Sequence, residues 1–146
     1  MQAITHQDLL SLEDYERQRA DIKERIRGHK EGRRLDLDEN ISVFFEDRET
    51  MWYQVQEMAR AERLYKDEEI QDELDVYNPL IPDGTNLKAT FMIQYDDREV
   101  RQRKLAELVG IEHRIWIRVD GHDKVFAVAD EDLDRSTADK TSTVHF

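Results

Sequence analysis

The sequence contains no cysteine. That absence removes structural disulfides, thiolate nucleophiles, CxxC redox pairs, thiolate zinc sites and iron–sulfur clusters ligated by this chain's own cysteines. Glycine is scarce as well, with 5 in the chain. Gly84, Gly110 and Gly121 stand alone at expected turns, so no glycine-rich loop is present to wrap a phosphate. The serines Ser11, Ser42, Ser136 and Ser142 include none in a G-x-S-x-G nucleophile elbow. No apolar run approaches the ~20 residues of a membrane-spanning helix. The stretch from Met1 to Leu10 has neither a basic leader nor the apolar core of a signal peptide, which makes the cytoplasm the default location.

Positive charge is in deficit. There are 22 Lys and Arg against 34 Asp and Glu, a net charge of -12. That balance argues against a nucleic-acid binder working by phosphate neutralisation and against an anionic membrane surface. One basic stretch runs against the trend: Arg25, Arg27, His29, Lys30, Arg33 and Arg34. It reads either as the solvated carbonyl end of a helix, where positive charge is favourable, or as a docking patch for an acidic partner or a phosphate-bearing ligand.

A hydrophobic share of 38% beside a charged share of 38% would by itself lean towards disorder. The order of the residues argues otherwise, because apolar positions recur at helical or strand period with turn residues between them. At 146 residues the chain is long enough to bury one sizeable core, and with no internal repeat or flexible linker it reads as a single domain.

Thr5 with Asp8, and Ser11 with Asp14, have the spacing of capped helical turns. Leu12, Tyr15, Ile22 and Ile26 then share one stripe of an amphipathic helix ending near Gly28 to Gly32. Leu35 and Leu37, followed by Ile41, Val43 and Phe45, alternate around Asp38-Glu39-Asn40 as a hairpin. Asp47 caps a helix to about Leu64, with Met51, Trp52, Val55, Met58 and Ala59 on its apolar side. A further helix around Ile70, Leu74 and Tyr77 must stop at Asn78-Pro79. Pro82-Asp83-Gly84 makes a turn. Ala89 to Tyr95 reads as a central strand, and Asp97 to Val109 as a helix stopped by Gly110. Ile115, Ile117 and Val119 alternate into Asp120-Gly121, and Val125, Ala127 and Ala129 alternate out, the signature of a tight hairpin. After a polar stretch from Asp130 to Lys140, Ser142 to Phe146 begins a strand, which suggests an edge strand or a shortened chain. The expected class is α+β, an antiparallel sheet packed with several helices.

Several runs carry a resemblance. They are Phe45 to Met51 continuing through Tyr53 to Glu62, Tyr77 to Gly84, Ala89 to Ile93, Ala129 to Leu133, and Lys140 to Phe146. Together they resemble a bacterial domain family of unknown function over nearly the whole chain. The family is associated with gene neighbourhoods containing rubrerythrin and an iron–sulfur oxidoreductase. The resemblance implies a link to iron or peroxide metabolism, a C-terminal extension beyond Phe146 in family members, and no assigned site residue or cofactor.

The helix from Asp47 carries the most informative polar residues. Tyr53, Gln54, Glu57 and Arg60 crowd positions next to its apolar stripe. One reading is a partly buried ion-pair and amide network that orients the helix against the sheet. The other is a polar pocket in which Glu57 is a ligand or proton acceptor. Asn78 and Asn86 bracket a rigid turn that adds amide groups as binding candidates. A metal site built from Glu57 and His145, or from His113 and His122, is a longer-range alternative. No Glu-x-x-His or HExxH occurs, so the chain is neither a ferritin-like di-iron oxidase nor a zincin. The acidic run Asp130 to Asp134 lacks the spacing of a calcium loop.

Two functions follow as expectations. The first is an accessory protein that docks on an iron–sulfur or rubrerythrin-type redox protein, with a homo-oligomer open and no nucleic acid or membrane partner. The second is a metal- or small-molecule-binding enzyme using Glu57, Tyr53 and Arg60.

Overall fold

The computed structural model describes residues 2–130 and 141–146. Its contacts divide the chain into two compact units, Met1–Arg34 with Phe44–Ala89, and Leu35–Val43 with Thr90–Phe146. The fold is α+β, with four α-helices and a four-stranded antiparallel sheet among the described residues.

The first unit is helical. α1 spans Leu12–Glu31, and Ser11 starts it by accepting from the Asp14 amide at 3.1 Å. Tyr15, Ile22 and Ile26 form its buried stripe, while His29 and Lys30 meet the carbonyl end of the helix dipole. α2 spans Arg48–Glu62 and opens with a reciprocal cap. The Asp47 carboxylate accepts from Thr50 N at 2.9 Å, and the Thr50 hydroxyl accepts from Asp47 N at 3.0 Å. Met51, Val55 and Ala59, four residues apart, are buried on one stripe. α3 spans Asp67–Tyr77, with Asp67, Glu68 and Glu69 at its positive end and Leu74 buried. A short 3-10 turn at Asn78–Leu80 then carries Pro79, as the sequence requires.

A strap, residues 2–10, crosses this unit and is tied down by side chains standing in for backbone. Gln56, 1% exposed, accepts from Leu10 N at 2.7 Å and donates to Leu10 O at 3.4 Å. Asn78 does the same at Ile4, at 2.8 and 2.9 Å. The Trp52 indole N–H donates to Asp8 O at 2.8 Å. Each amide satisfies one backbone N–H and one C=O, so the strap is held without a strand partner.

The second unit holds most of the sheet, whose strand order is β1 (Arg34–Asp38), β2 (Ile41–Phe45), β3 (Ala89–Gln94) and, last, β6 (Thr141–His145). β3 is central, as its two apolar faces predict, and Phe91 stands opposite Val144 in antiparallel register. Ile41, Val43, Leu105, Leu108 and Phe146 pack on the core of Phe91, Ile93 and Val144. Leu105 belongs to α4 (Arg98–Glu107), which Asp97 caps by accepting from Val100 N at 2.9 Å. β6 closes the order at one edge. The polar stretch expected to precede it lies, beyond Asp130, outside the described residues.

The Asp120-Gly121 hairpin forms, with a four-residue turn closed by His122 N donating to Val119 O at 3.0 Å, though not of the mirror-image type. β4 (Trp116–Ile117) pairs with β5 (Val125–Phe126), so residues 118–124 make the connection. A two-residue turn of the tight mirror-image kind needs positive φ at both central residues. Gly121 has φ 78, whereas Asp120 is not among the positive-φ residues.

Arg63, which ends α2, sits at φ 55 and ψ 45, and its N–H donates to Ala59 and Arg60 carbonyls. A side chain there costs about 1 kcal/mol relative to glycine. Arg63→Gly is therefore expected to raise the free energy of unfolding by about 0.5–1 kcal/mol in urea titration. Unchanged or lower stability would show that the Arg63 side chain compensates for its backbone.

Candidate functional site

Of the polar residues singled out on α2, Tyr53, Glu57 and Arg60 meet α1, and the network they form orients one helix against the other. Glu57 lies at the centre. Its Oε1 accepts from the Tyr15 hydroxyl at 2.7 Å and from Arg19 Nε at 2.8 Å, and its Oε2 accepts from Arg19 Nη2 at 3.0 Å. This is a fork-to-fork guanidinium–carboxylate pair, with the phenol as a third donor. Both partners come from α1. The spacing on α2 alone suggested Arg60 as the neighbour of Glu57, but Arg60 reaches across to Glu16 of α1 at 2.7 Å.

Beneath this pair Tyr15 is completely buried, with Ile22 and Ile26, and Trp52 meets its ring edge-on at 6.3 Å. Tyr53 packs on the same cluster, and the Lys30 ammonium stands 5.3 Å above its ring. Gln54 turns the other way, to a hydrogen bond with Tyr77 of α3.

The electrostatics follow from these contacts. The Arg19 hydrogen bonds, reinforced by the Tyr15 hydroxyl, hold Glu57 below the ordinary carboxylate range, and burial opposes them only in part. Burial raises the Tyr15 phenol strongly, and the hydrogen bond and charge of Glu57 add to the shift. Burial also raises Tyr53 and Tyr77. The result is an ionised acceptor beside phenols kept neutral. To take a metal ion or a substrate proton, Glu57 would have to give up Arg19.

The remaining candidates are dispersed. Asn78 spends its amide on the Ile4 backbone, and Asn86 accepts from Asp83 N at 3.1 Å inside its own loop. His145 lies in the second unit, on β6, with Nδ1 3.0 Å from the Thr90 hydroxyl. His113 and His122 are exposed. Among the described residues, no three His, Asp or Glu side chains gather as a metal ion would need. No buried side-chain nitrogen or oxygen there lacks a hydrogen-bond partner.

The basic end of α1 also has internal partners. His29 Nε2 lies 2.8 Å from Asp47 Oδ2, which Arg33 meets at 2.7 Å, and Arg25 pairs with Glu49. The capping carboxylate of α2 thus ties down His29 in the last turn of α1 and Arg33 just beyond it. Beside them a shallow hollow of about 320 Å³ is lined by Asp8, Arg25, Arg48, Glu49 and Trp52. Its guanidiniums already face carboxylates, Arg48 to Asp8 at 3.0 Å and Arg25 to Glu49. Sequence reading missed this hollow because nothing in the local pattern brings residue 8 to residue 48. It missed Gln56 for the same reason, since its partner lies in the strap.

The Glu57 cluster makes stability depend on pH at both ends. A carboxylate whose folded pKa lies below its ordinary 4.5 stabilises fully above that value, and the contribution is lost as pH falls through the folded pKa. A phenol raised above its ordinary 10.0 works in reverse, stabilising below pH 10 and losing that contribution as pH rises beyond it. Glu57→Gln is expected to lower stability by about 1–3 kcal/mol at neutral pH, because Arg19 loses its partner. It should also flatten the acid limb of a melting-temperature profile. Tyr15→Phe should flatten the alkaline limb. A Glu57→Gln variant that keeps wild-type stability and acid limb would refute the structural role.

The comparisons with known proteins bear on nearly the whole chain. Residues 3–146 match the family described as "Protein of unknown function (DUF3501)". A crystal structure of a novel protein of unknown function from Burkholderia pseudomallei is similar, at 45% sequence identity and a TM-score of 0.89. The match covers 99% of this chain and 75% of that one. No curated protein matches. At that extent of match the chain belongs to the DUF3501 family, whose function is unknown.

Proposed function

We propose that this protein is an accessory protein that works by docking on another protein, and that its partner is an iron–sulfur or rubrerythrin-type redox protein. The observation that carries the docking role is the distribution of exposed apolar side chains. Of twelve exposed large hydrophobic residues among those described, six lie between 116 and 128: Trp116, Ile117, Val119, Val125, Phe126 and Val128. A two-stranded ribbon has little stability of its own. This one spends its apolar side chains on surface while its base, Ile115 and Ala129, is anchored in the Phe91 core. Concentrated exposed apolar surface of this kind marks interaction sites in soluble proteins. The redox identity of the partner rests on the family resemblance of the sequence. The contrast with the first unit supports docking over chemistry, because there the polar candidates are spent on one another.

The test is a native pull-down of the full-length protein from its source cell, run beside a Phe126→Asp variant. Recovery of an iron–sulfur or rubrerythrin-type protein by the wild type, with loss in the variant, is the expected result. Recovery only of proteins without a redox centre would sink the redox assignment. Retention of every partner by Phe126→Asp would sink the docking role of the ribbon.

A further inference from the structure

The β4–β5 ribbon has two chemically different faces, and the register separates them. Trp116 stands opposite Phe126, and Ile117 opposite Val125. Alternation therefore puts Ile117, Val119 and Val125 on one face, an aliphatic one. The other face carries Trp116 and Phe126, flanked by Arg114, Arg118, Lys124 and Val128.

Continuing the register by one residue sets Arg118 across from Lys124. The structure agrees, because the Lys124 ammonium lies 4.1 Å and the Arg118 guanidinium 5.8 Å from the centre of the Trp116 ring. Like charges directly across a strand pair are unfavourable. Here both stand near the Trp116 ring, and among the described residues no carboxylate forms an ion pair with Arg114, Arg118 or Lys124. In a chain with a net charge of -12, three cations flank two exposed rings on this face, with the carboxylates of Asp120 and Asp123 in the connecting turn.

We infer that the Trp116/Phe126 face binds an acidic protein surface, whose carboxylates neutralise Arg114, Arg118 and Lys124 while its apolar residues cover the two rings. The inference rests on the docking role proposed above and adds the partner's chemistry. Two cations set across a strand pair, with no ion-paired carboxylate among the described residues, gain from a partner that supplies counter-charge and penalise a basic partner by repulsion. Nucleic acid also stacks on aromatic rings beside cations. The exposed aliphatic face of Ile117, Val119 and Val125 gives stacked bases nothing to use. A protein cleft with an apolar floor and an acidic rim uses both faces.

The experiment places a photoreactive benzoyl-phenylalanine at Phe126 in the full-length chain, in the source cell, with a control at exposed Arg17 on α1. The expected result is a crosslink from position 126, and not from 17, to a peptide of net negative charge on another protein. Lys124→Glu with Arg118→Glu should cut its yield about tenfold, with Lys124→Gln and Arg118→Gln intermediate, because rim charges govern encounter. Far-UV circular dichroism confirms that each variant keeps its fold. A crosslink to a second copy of this chain, to nucleic acid or to a basic peptide overturns the inference, as does absence of a crosslink at 126. The redox assignment fails separately. An acidic partner without a redox centre leaves the present inference standing and removes that assignment. A redox partner whose crosslink ignores the charge reversals keeps the assignment and removes the inference.

Discussion

Glu57 carries its charge into the half-buried seam between the two long helices, where three donors replace part of its hydration. An ionised carboxylate in such a place is tolerated only when its lone pairs are filled, and the Arg19 fork and the Tyr15 hydroxyl fill them. The dependence runs both ways. Tyr15 is wholly buried, and its hydroxyl would be an orphan in an apolar cluster without Glu57. The pair therefore fixes the rotation of α1 against α2. That rotation decides which residues of α2 face the strap, which place the Gln56 amide takes at Leu10, and where the Trp52 indole meets Asp8.

The helical unit is consequently a closed polar system. Cations at the end of α1 end on the capping carboxylate of α2, Arg60 ends on Glu16, and the side-chain amides of Gln56 and Asn78 end on backbone. Closure of this sort gives rigidity and a unique packing, because any member left unpaired would cost more than its bond contributes. The second unit is organised differently. Its core of Phe91, Ile93 and Val144 is compact, yet the ribbon rooted there exposes both its faces. Polar groups turned inward on one unit and apolar groups turned outward on the other form a coherent pair.

The local signals in the sequence were legible where one element suffices to decide the outcome. Ser11, Asp47 and Asp97 start helices because an acceptor side chain beside free amides needs no tertiary help. The stripes Tyr15-Ile22-Ile26 and Met51-Val55-Ala59, the central position of β3, and the Asp-Gly hairpin were all readable as period and turn chemistry. Charge and the missing cysteines bounded the chemistry. Glu57 was legible as an anomaly, a carboxylate too close to an apolar stripe. Its partner was not, since helical spacing offers Arg60 and says nothing of Arg19, thirty-eight residues away.

The sequence by itself determined the elements, their order, the α+β class and the buried stripes of the helices, because these depend on short-range sterics and on apolar period. Only the tertiary structure decided which polar groups pair, and so that Glu57 meets Arg19 and Tyr15 of α1. It also decided that Ile117, Val119 and Val125, which alternate in the hairpin pattern, lie on the surface. Both outcomes turn on contacts between residues remote in the chain. Their energies are set by which surfaces meet, and local pattern cannot choose among partners that only folding brings together.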